Sequence, residues 1–303
     1  MKRYAVIDIG TNSIKFHVGE KQSNGAWNTI LDKAELTRLG EGLQQSGVIN
    51  PEALERNVKA IGEMVNEARQ LSCERIAAVG TMGLRTAKNS SDLVRRVKEQ
   101  GGIDVEIISG DEESRLSYLA VKNGLGLSEG RMVIFDTGGG STEFVFGNGP
   151  LVERRFSLNI GAIRFTETFF KSDPVTSSEL DKAIEAIERE LHELKSASTT
   201  VVLVGMGGTM TNIGGVKHQL AKYDPDIVQG SVIERSEIKR QMELYSSRTI
   251  EERKKIVGLQ PKRADVILAG VCIVWVIMSH LKMDKLYISD RGLRHGLLVD
   301  RFG

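Results

Sequence analysis

The stretch Arg131-Met132-Val133-Ile134-Phe135-Asp136-Thr137-Gly138-Gly139-Gly140-Ser141-Thr142-Glu143-Phe144-Val145-Phe146-Gly147 decides the fold. Met132 to Phe135 are apolar, end on an acid and read as a buried strand. Three glycines then permit backbone angles that side chains forbid, and apolar alternation resumes in Glu143 to Phe146. The expectation is a hairpin with a tight turn. Successive free amides in such a turn form a concave anion site, and an acid at the strand end can hold a hard divalent cation against the same anion. Phosphate with magnesium suits that description, although a hairpin whose glycines serve only the turn would show the same local pattern.

The beginning of the chain separates the two readings. Ile7-Asp8-Ile9-Gly10-Thr11-Asn12-Ser13 aligns without gaps on Phe135-Asp136-Thr137-Gly138-Gly139-Gly140-Ser141, with Asp on Asp, Gly on Gly and Ser on Ser. Its flanks, Tyr4 to Ile7 and Ile14 to Val18, also read as strands. A motif repeated across most of a domain predicts two similar lobes, each offering one phosphate loop to a cleft between them. Gly10, Thr11, Asn12 and Ser13 would form the first loop, and Gly138, Gly139, Gly140 and Ser141 the second.

At 303 residues the chain can build two cores. Lys+Arg 41 against Asp+Glu 40 gives a net charge of +1, so no overall field points to nucleic acid or a membrane as partner. Cys73 and Cys272 lack the spacing of a disulfide framework or a thiolate metal site, and Met1-Lys2-Arg3 leads straight into a strand with no secretory leader. A reducing cytoplasm is the expected compartment. The apolar run from Val266 to Ser279 is too short to cross a bilayer core of ~30 Å and reads as a buried helix.

The remaining elements alternate. Trp27 to Leu39 is expected as strand, leading into Gly40-Glu41-Gly42 with Arg38 turned toward the cleft. Asn50-Pro51-Glu52 opens a helix whose apolar stripe is Leu54, Val58, Ile61, Val65 and Ala68. Arg75 to Val79 delivers Gly80 through Arg85 at a strand end, where α/β sheets bind ligands. Beyond the central hairpin, Ser178 to Leu194 reads as an amphipathic helix. Thr200 to Val204 reads as a strand ending in a third glycine loop, Gly205-Met206-Gly207-Gly208-Thr209. Ile250 to Val257 and Asp290 to Asp300 read as helices. The domains are expected at 1–124 and 125–303, with the last helix free to pack back on the first.

Two other architectures are set aside. The third loop lacks the acid about 20 residues on that a dinucleotide-binding fold uses for ribose. An aspartic protease also has two lobes and an Asp-Thr-Gly, but its lobes are nearly all β, whereas helical periodicity fills long tracts here.

Taken together, Asp8 through Ser13, Arg38 through Leu43, Gly80 through Arg85, Ile108 through Leu116, Asp136 through Glu143, Gly205 through Thr209 and Ser289 through Arg294 resemble the exopolyphosphatase and guanosine pentaphosphate phosphohydrolase family, end to end. The resemblance implies an α/β fold of two ribonuclease-H-like lobes, as in actin, sugar kinases and heat-shock ATPases. It implies Glu113 as the base that activates water and Arg85 as a phosphate clamp. Asp136 and Glu143, with Asp8, would be ligands for magnesium or manganese. Gly207, Gly208, Thr209 and Arg38 would be further phosphate contacts, in a cytoplasmic homodimer. Local chemistry does not choose among Asp111, Glu112 and Glu113, since all three suit a helix N-terminus. Arg291 and Arg294 open the last helix and would serve phosphate or solvent. Histidines 17, 192, 218, 280 and 295 show no ligand spacing and read as structural or surface residues; Met206 and Met210 read as packing. Longer family members continue into further helical domains. The implied substrates are inorganic polyphosphate or the alarmone pppGpp, and a non-catalytic nucleotide sensor is the reading from another class.

Overall fold

The computed structural model describes residues 1–127, 129–191, 194 and 201–303, in two compact units, Met1–Ala120 with Leu293–Gly303 and Val121–Gly292. His192 and Thr200 lie outside the described residues, and the helix expected over Ser178 to Leu194 runs from Ser177 to Glu190, where Leu191 caps it.

In the first unit, β1 (Lys2–Ile9), β2 (Ser13–Lys21) and β3 (Trp27–Leu36) form an antiparallel meander, with β4 (Cys73–Gly80) and β5 (Val105–Ile107) added in parallel, in the order β3-β2-β1-β4-β5. Alternation along β1 sends Ala5, Ile7 and Ile9 into one core and Val6 into another. The Pro51–Gln70 helix covers the first core: Asn50 caps it by accepting from the Ala53 N–H at 2.7 Å, Pro51 fills its first position, and every residue of the expected stripe is buried. The Leu293–Phe302 helix covers the second core with Leu293, Leu297, Leu298 and Phe302. Gly296 permits that packing, since a Cβ there would overlap the Leu116 carbonyl. Truncating fully buried Leu297 to Ala should cost about 2–5 kcal/mol.

The second unit repeats the plan. β6 (Arg131–Thr137), β7 (Thr142–Asn148) and β8 (Leu151–Leu158) are the meander, β9 (Val201–Met206) runs parallel to β6, and β11 (Lys285–Ser289) runs parallel to β9. β10 (Val232–Glu234) adds an antiparallel edge, giving the order β10-β11-β9-β6-β7-β8. The apolar run forms the Ile267–His280 helix, which is buried nearly all round at the centre of this core.

Two helices begin or end differently from their sequence pattern. The helix at Ile250 stops at Arg253, not Val257, because Lys255 and Ile256 donate to Glu252 and Arg253 three residues back, tightening the chain toward Gly258 at φ 90°. The last helix begins at Leu293, not Asp290: Ser289 Oγ donates to the Arg291 carbonyl and accepts from its N–H, which keeps Asp290 to Gly292 out of the helix.

Candidate active site

In the first unit the turn between β1 and β2 is closed by the Gly10 N–H on the Ser13 carbonyl at 3.0 Å. A Cβ on Gly10 would lie 2.8 Å from that oxygen, so the closure needs glycine. Gly40 donates to Thr11 O at 2.8 Å and Arg38 to Asn12 O at 2.9 Å, which binds the Arg38 loop to the hairpin turn. Arg38 itself sits at φ 47°, a left-handed conformation that arginine seldom adopts. Behind this turn Thr81 donates to Ile9 O at 3.2 Å, placing the Met82–Thr86 helix and Arg85 beside it.

Arg85 Nη1 bonds the Ile108 carbonyl at 2.7 Å and lies 3.5 Å from Glu113 Oε2. Burial pushes the Glu113 carboxyl above its ordinary range; Arg85 pulls the other way, and nearby Asp8 adds to the rise. Glu112 contrasts with it. Its carboxylate takes two bonds from Arg115, each 2.8 Å, and is held low by that guanidinium. Geometry thus separates two adjacent acids that the sequence left equivalent: Glu112 is tied down as an anion by Arg115, and Glu113 is raised by burial with only the longer Arg85 contact against it. Asp8 is buried, with Oδ2 3.5 Å from Lys15 Nζ.

In the second unit the Gly138 N–H closes on Ser141 O at 2.9 Å. Asp136 and Glu143 pair directly across β6 and β7, so both carboxylates stand on one face of the sheet. Glu143 Oε1 accepts from Ser141 Oγ at 2.6 Å and Ser157 Oγ at 3.0 Å. The third loop reaches the same place. Gly207, at φ 83°, comes so close that a Cβ would overlap Asp136 Oδ1, and Thr209 Oγ1 bonds the Thr137 carbonyl at 3.3 Å. Gly208 lies against the Arg263 guanidinium, a cation that sequence reading did not single out. Arg263 comes from the turn at Pro261–Arg263, and its only advance signal was a basic residue just before the apolar helix.

The first unit thus holds a glycine turn with a buried acid, an arginine and a carboxyl raised by burial, and the second holds a like turn with two acids paired across its strands. Residues 17–303 match the Ppx/GppA phosphatase family. The chain belongs to that family. Among solved structures, the type II variant of the Aquifex aeolicus Ppx/GppA phosphatase is similar with a TM-score of 0.93 and 36% identity over 100% of both chains. Among curated relatives, exopolyphosphatase 2 of Mycobacterium tuberculosis is 28% identical over 100% of this chain and 99% of its own length. The guanosine-5'-triphosphate,3'-diphosphate pyrophosphatase of Vibrio atlanticus is 30% identical over 99% of this chain but 60% of its own length. A bifunctional 3-dehydroquinate synthase/phosphatase of Fusobacterium nucleatum is matched over 46% of its length, so the chain spans 46% to 60% of these longer relatives. The two lobes expected from the repeated hairpin and the α/β, actin-like fold implied by the family resemblance are both found.

One assembly in this family member escaped the sequence altogether. His17 and His295, read as unrelated, meet at Asp32 in the first unit: His17 Nδ1 is 3.5 Å and His295 Nε2 3.3 Å from Asp32 Oδ2. Arg294 bonds the same carboxylate at 2.7 and 2.8 Å rather than facing a phosphate. Burial drives the His295 imidazole down to about 3. The residues lie up to 278 positions apart, and no local period joins them.

Proposed function

We propose that the chain is an exopolyphosphatase that releases orthophosphate from the end of inorganic polyphosphate with magnesium. The observation that carries this reading is Glu113, a carboxyl raised by burial and set beside Arg85 while Glu112 is locked to Arg115. Glu113 takes a proton from water as its oxygen attacks the terminal phosphorus; the bridging P–O bond breaks and the shortened chain leaves with the bond's electrons. Arg85 supports charge on the terminal phosphate, and the Gly10–Ser13 and Gly138–Ser141 turns, with Arg38 and Gly207 to Thr209, supply phosphate contacts.

A hard divalent cation fits the second unit, because two carboxylates face each other there with two serine hydroxyls beside them. Asp136 and Glu143 would hold it; Asp8, in the first unit, is the third acid that the family resemblance implies. Magnesium or manganese so held would neutralise charge on the phosphate oxygens. The family relative named exopolyphosphatase, matched over nearly its whole length, supports polyphosphate as substrate. The homodimer and the cytoplasm rest on the family resemblance and the unpaired cysteines.

A second reading, the pentaphosphate alarmone pppGpp, is favoured by a pocket of about 410 Å³ just along the helix from Thr209, lined by Asn212, Leu220, Tyr223, Leu259 and Gln260. That volume suits a purine nucleoside. A phosphate-release panel of polyphosphate, pppGpp and ATP, with magnesium and with chelator, tests both. Magnesium-dependent release from polyphosphate is expected. Faster release from pppGpp would move the assignment to the alarmone, and nucleotide binding without release from any substrate would make the chain a sensor and overturn the enzyme.

A further inference from the structure

We propose that His17, Asp32 and His295 form a binding site for one transition-metal ion of the zinc class, built into the first unit apart from the phosphate turns. His17 on β2 and Asp32 on β3 are paired directly across the ladder, so their side chains share a face. His295 is brought to the same point by the last helix. Their ligand atoms all lie within 4.8 Å of one another, and the two imidazole rings are 4.6 Å apart. Tetrahedral coordination at bond lengths of ~2.1 Å needs ligand atoms about 3.4 Å apart. The separations of 3.5 and 3.3 Å from Asp32 Oδ2 to the two nitrogens already meet that requirement, and the two nitrogens lie within 4.8 Å of each other.

A second observation points to a ligand. His17 is 2% exposed and its Nδ1 has no hydrogen-bond partner. A buried polar atom left unpaired costs about 1–3 kcal/mol, and a metal bond would satisfy it. Two imidazoles and one carboxylate, with a fourth position left to water, are a zinc donor set rather than a magnesium one. Asp32 remains a quarter exposed, which leaves an entry path. Arg294 already engages the carboxylate and would act as the outer partner that orients it. Its positive charge would weaken the site relative to one without it. The ion would join β2, β3 and the last helix, elements drawn from both ends of the chain.

The experiment uses the full chain stripped with chelator and then held in excess magnesium, which occupies hard oxygen sites. Zinc titrated by calorimetry should bind one ion per chain, and cobalt at the same site should give visible bands of tetrahedral intensity. His17→Gln and Asp32→Asn should each abolish both signals, while His218→Gln should leave them intact. No stoichiometric binding, or binding unchanged in both variants, would overturn the proposal. The wild type supplies a readout independent of variant folding: of its five histidines, two should show shifted imidazole nitrogen resonances on adding zinc. Zinc should also raise the melting temperature by linkage to the folded state. Unmoved imidazole resonances would sink the site whatever the variants do.

Discussion

The two hairpins share a backbone and differ in charge. Both close with a glycine N–H on a serine carbonyl three residues on, at 3.0 Å in the first and 2.9 Å in the second. Both carry an aspartate on the first strand, two residues before that glycine. The difference is the residue paired across from the acid. Asp8 faces Lys15, with 3.5 Å between their charged atoms, whereas Asp136 faces Glu143. Like charges opposite each other on a sheet are unfavourable, so on the proposed function a cation held by Asp136 and Glu143 would favour the second hairpin more than the first. The first is already partly neutralised. On the proposed function, that one cross-strand residue is what separates a turn that holds phosphate alone from one that holds phosphate with a metal.

The largest expected effect lies in neither hairpin. Glu113→Gln keeps the shape and removes the base, so turnover should fall by about 10²- to 10⁴-fold with substrate binding nearly intact. Raising magnesium should not restore it. Rescue by magnesium would mean that Glu113 serves the metal and that the division of labour between the units is wrong.

The contrast itself is tested next. Asp136→Asn should raise the magnesium needed for half-maximal activity by at least the ~10- to 100-fold seen when an outer metal partner is lost. Asp8→Asn should shift it less, because Lys15 already shares that charge. Glu143→Lys, which copies the first hairpin's pairing into the second, should remove magnesium activation altogether. Magnesium titrations of the three variants check the order, and equal shifts for Asp8→Asn and Asp136→Asn would erase the distinction.

Both hairpins and the flanking strands were legible because their signals are local: apolar runs, an acid, glycines, and the same order repeated. The Asn50-Pro51 helix start was legible for the same reason. What the sequence did not carry was pairing across distance. That Glu112 would be consumed by Arg115 follows from helical spacing, but that Arg85 would come to Glu113 depends on β4 lying beside β5. Whether Glu143 faced the phosphate turn or solvent depended on register, since a slip of one residue would reverse it. The His17, Asp32 and His295 cluster needed β2, β3 and the last helix to meet, and Arg294, which the sequence left open between phosphate and solvent, bonds Asp32 instead.

A smaller effect is expected at the contact between the third loop and the second hairpin. Gly207→Ala places a methyl against Asp136 Oδ1 at a φ of 83°, where side chains are strained. The loss of stability should be about 1 kcal/mol or somewhat more. The displaced carboxylate should raise the magnesium requirement as well. A lower melting temperature with an unchanged magnesium titration would place the strain elsewhere and separate Asp136 from the metal.

The smallest effect reads the first hairpin through the Glu113 proton. Its carboxyl is raised above the ordinary 4.5 chiefly by burial, lowered by Arg85 and Lys15, and raised by Asp8. A general base must be ionised, so turnover should fall as pH drops through that raised value. Asp8→Asn removes a raising charge and should move this acid limb to lower pH, while Lys15→Met should move it higher. The stability consequence has a definite sign. The folded chain holds this proton more tightly than the unfolded one, so the associated stabilisation is complete below about 4.5 and is lost as pH rises through the folded value. At neutral pH wild-type Glu113 is therefore an ionised group in an unfavourable place, and Glu113→Gln should melt at a higher temperature than the wild type. The gap should close on acidification below about 4.5. Melting curves at neutral and acid pH decide it: a Gln variant less stable at neutral pH would mean that Arg85 outweighs burial and that Glu113 is an ion-pair partner rather than a base.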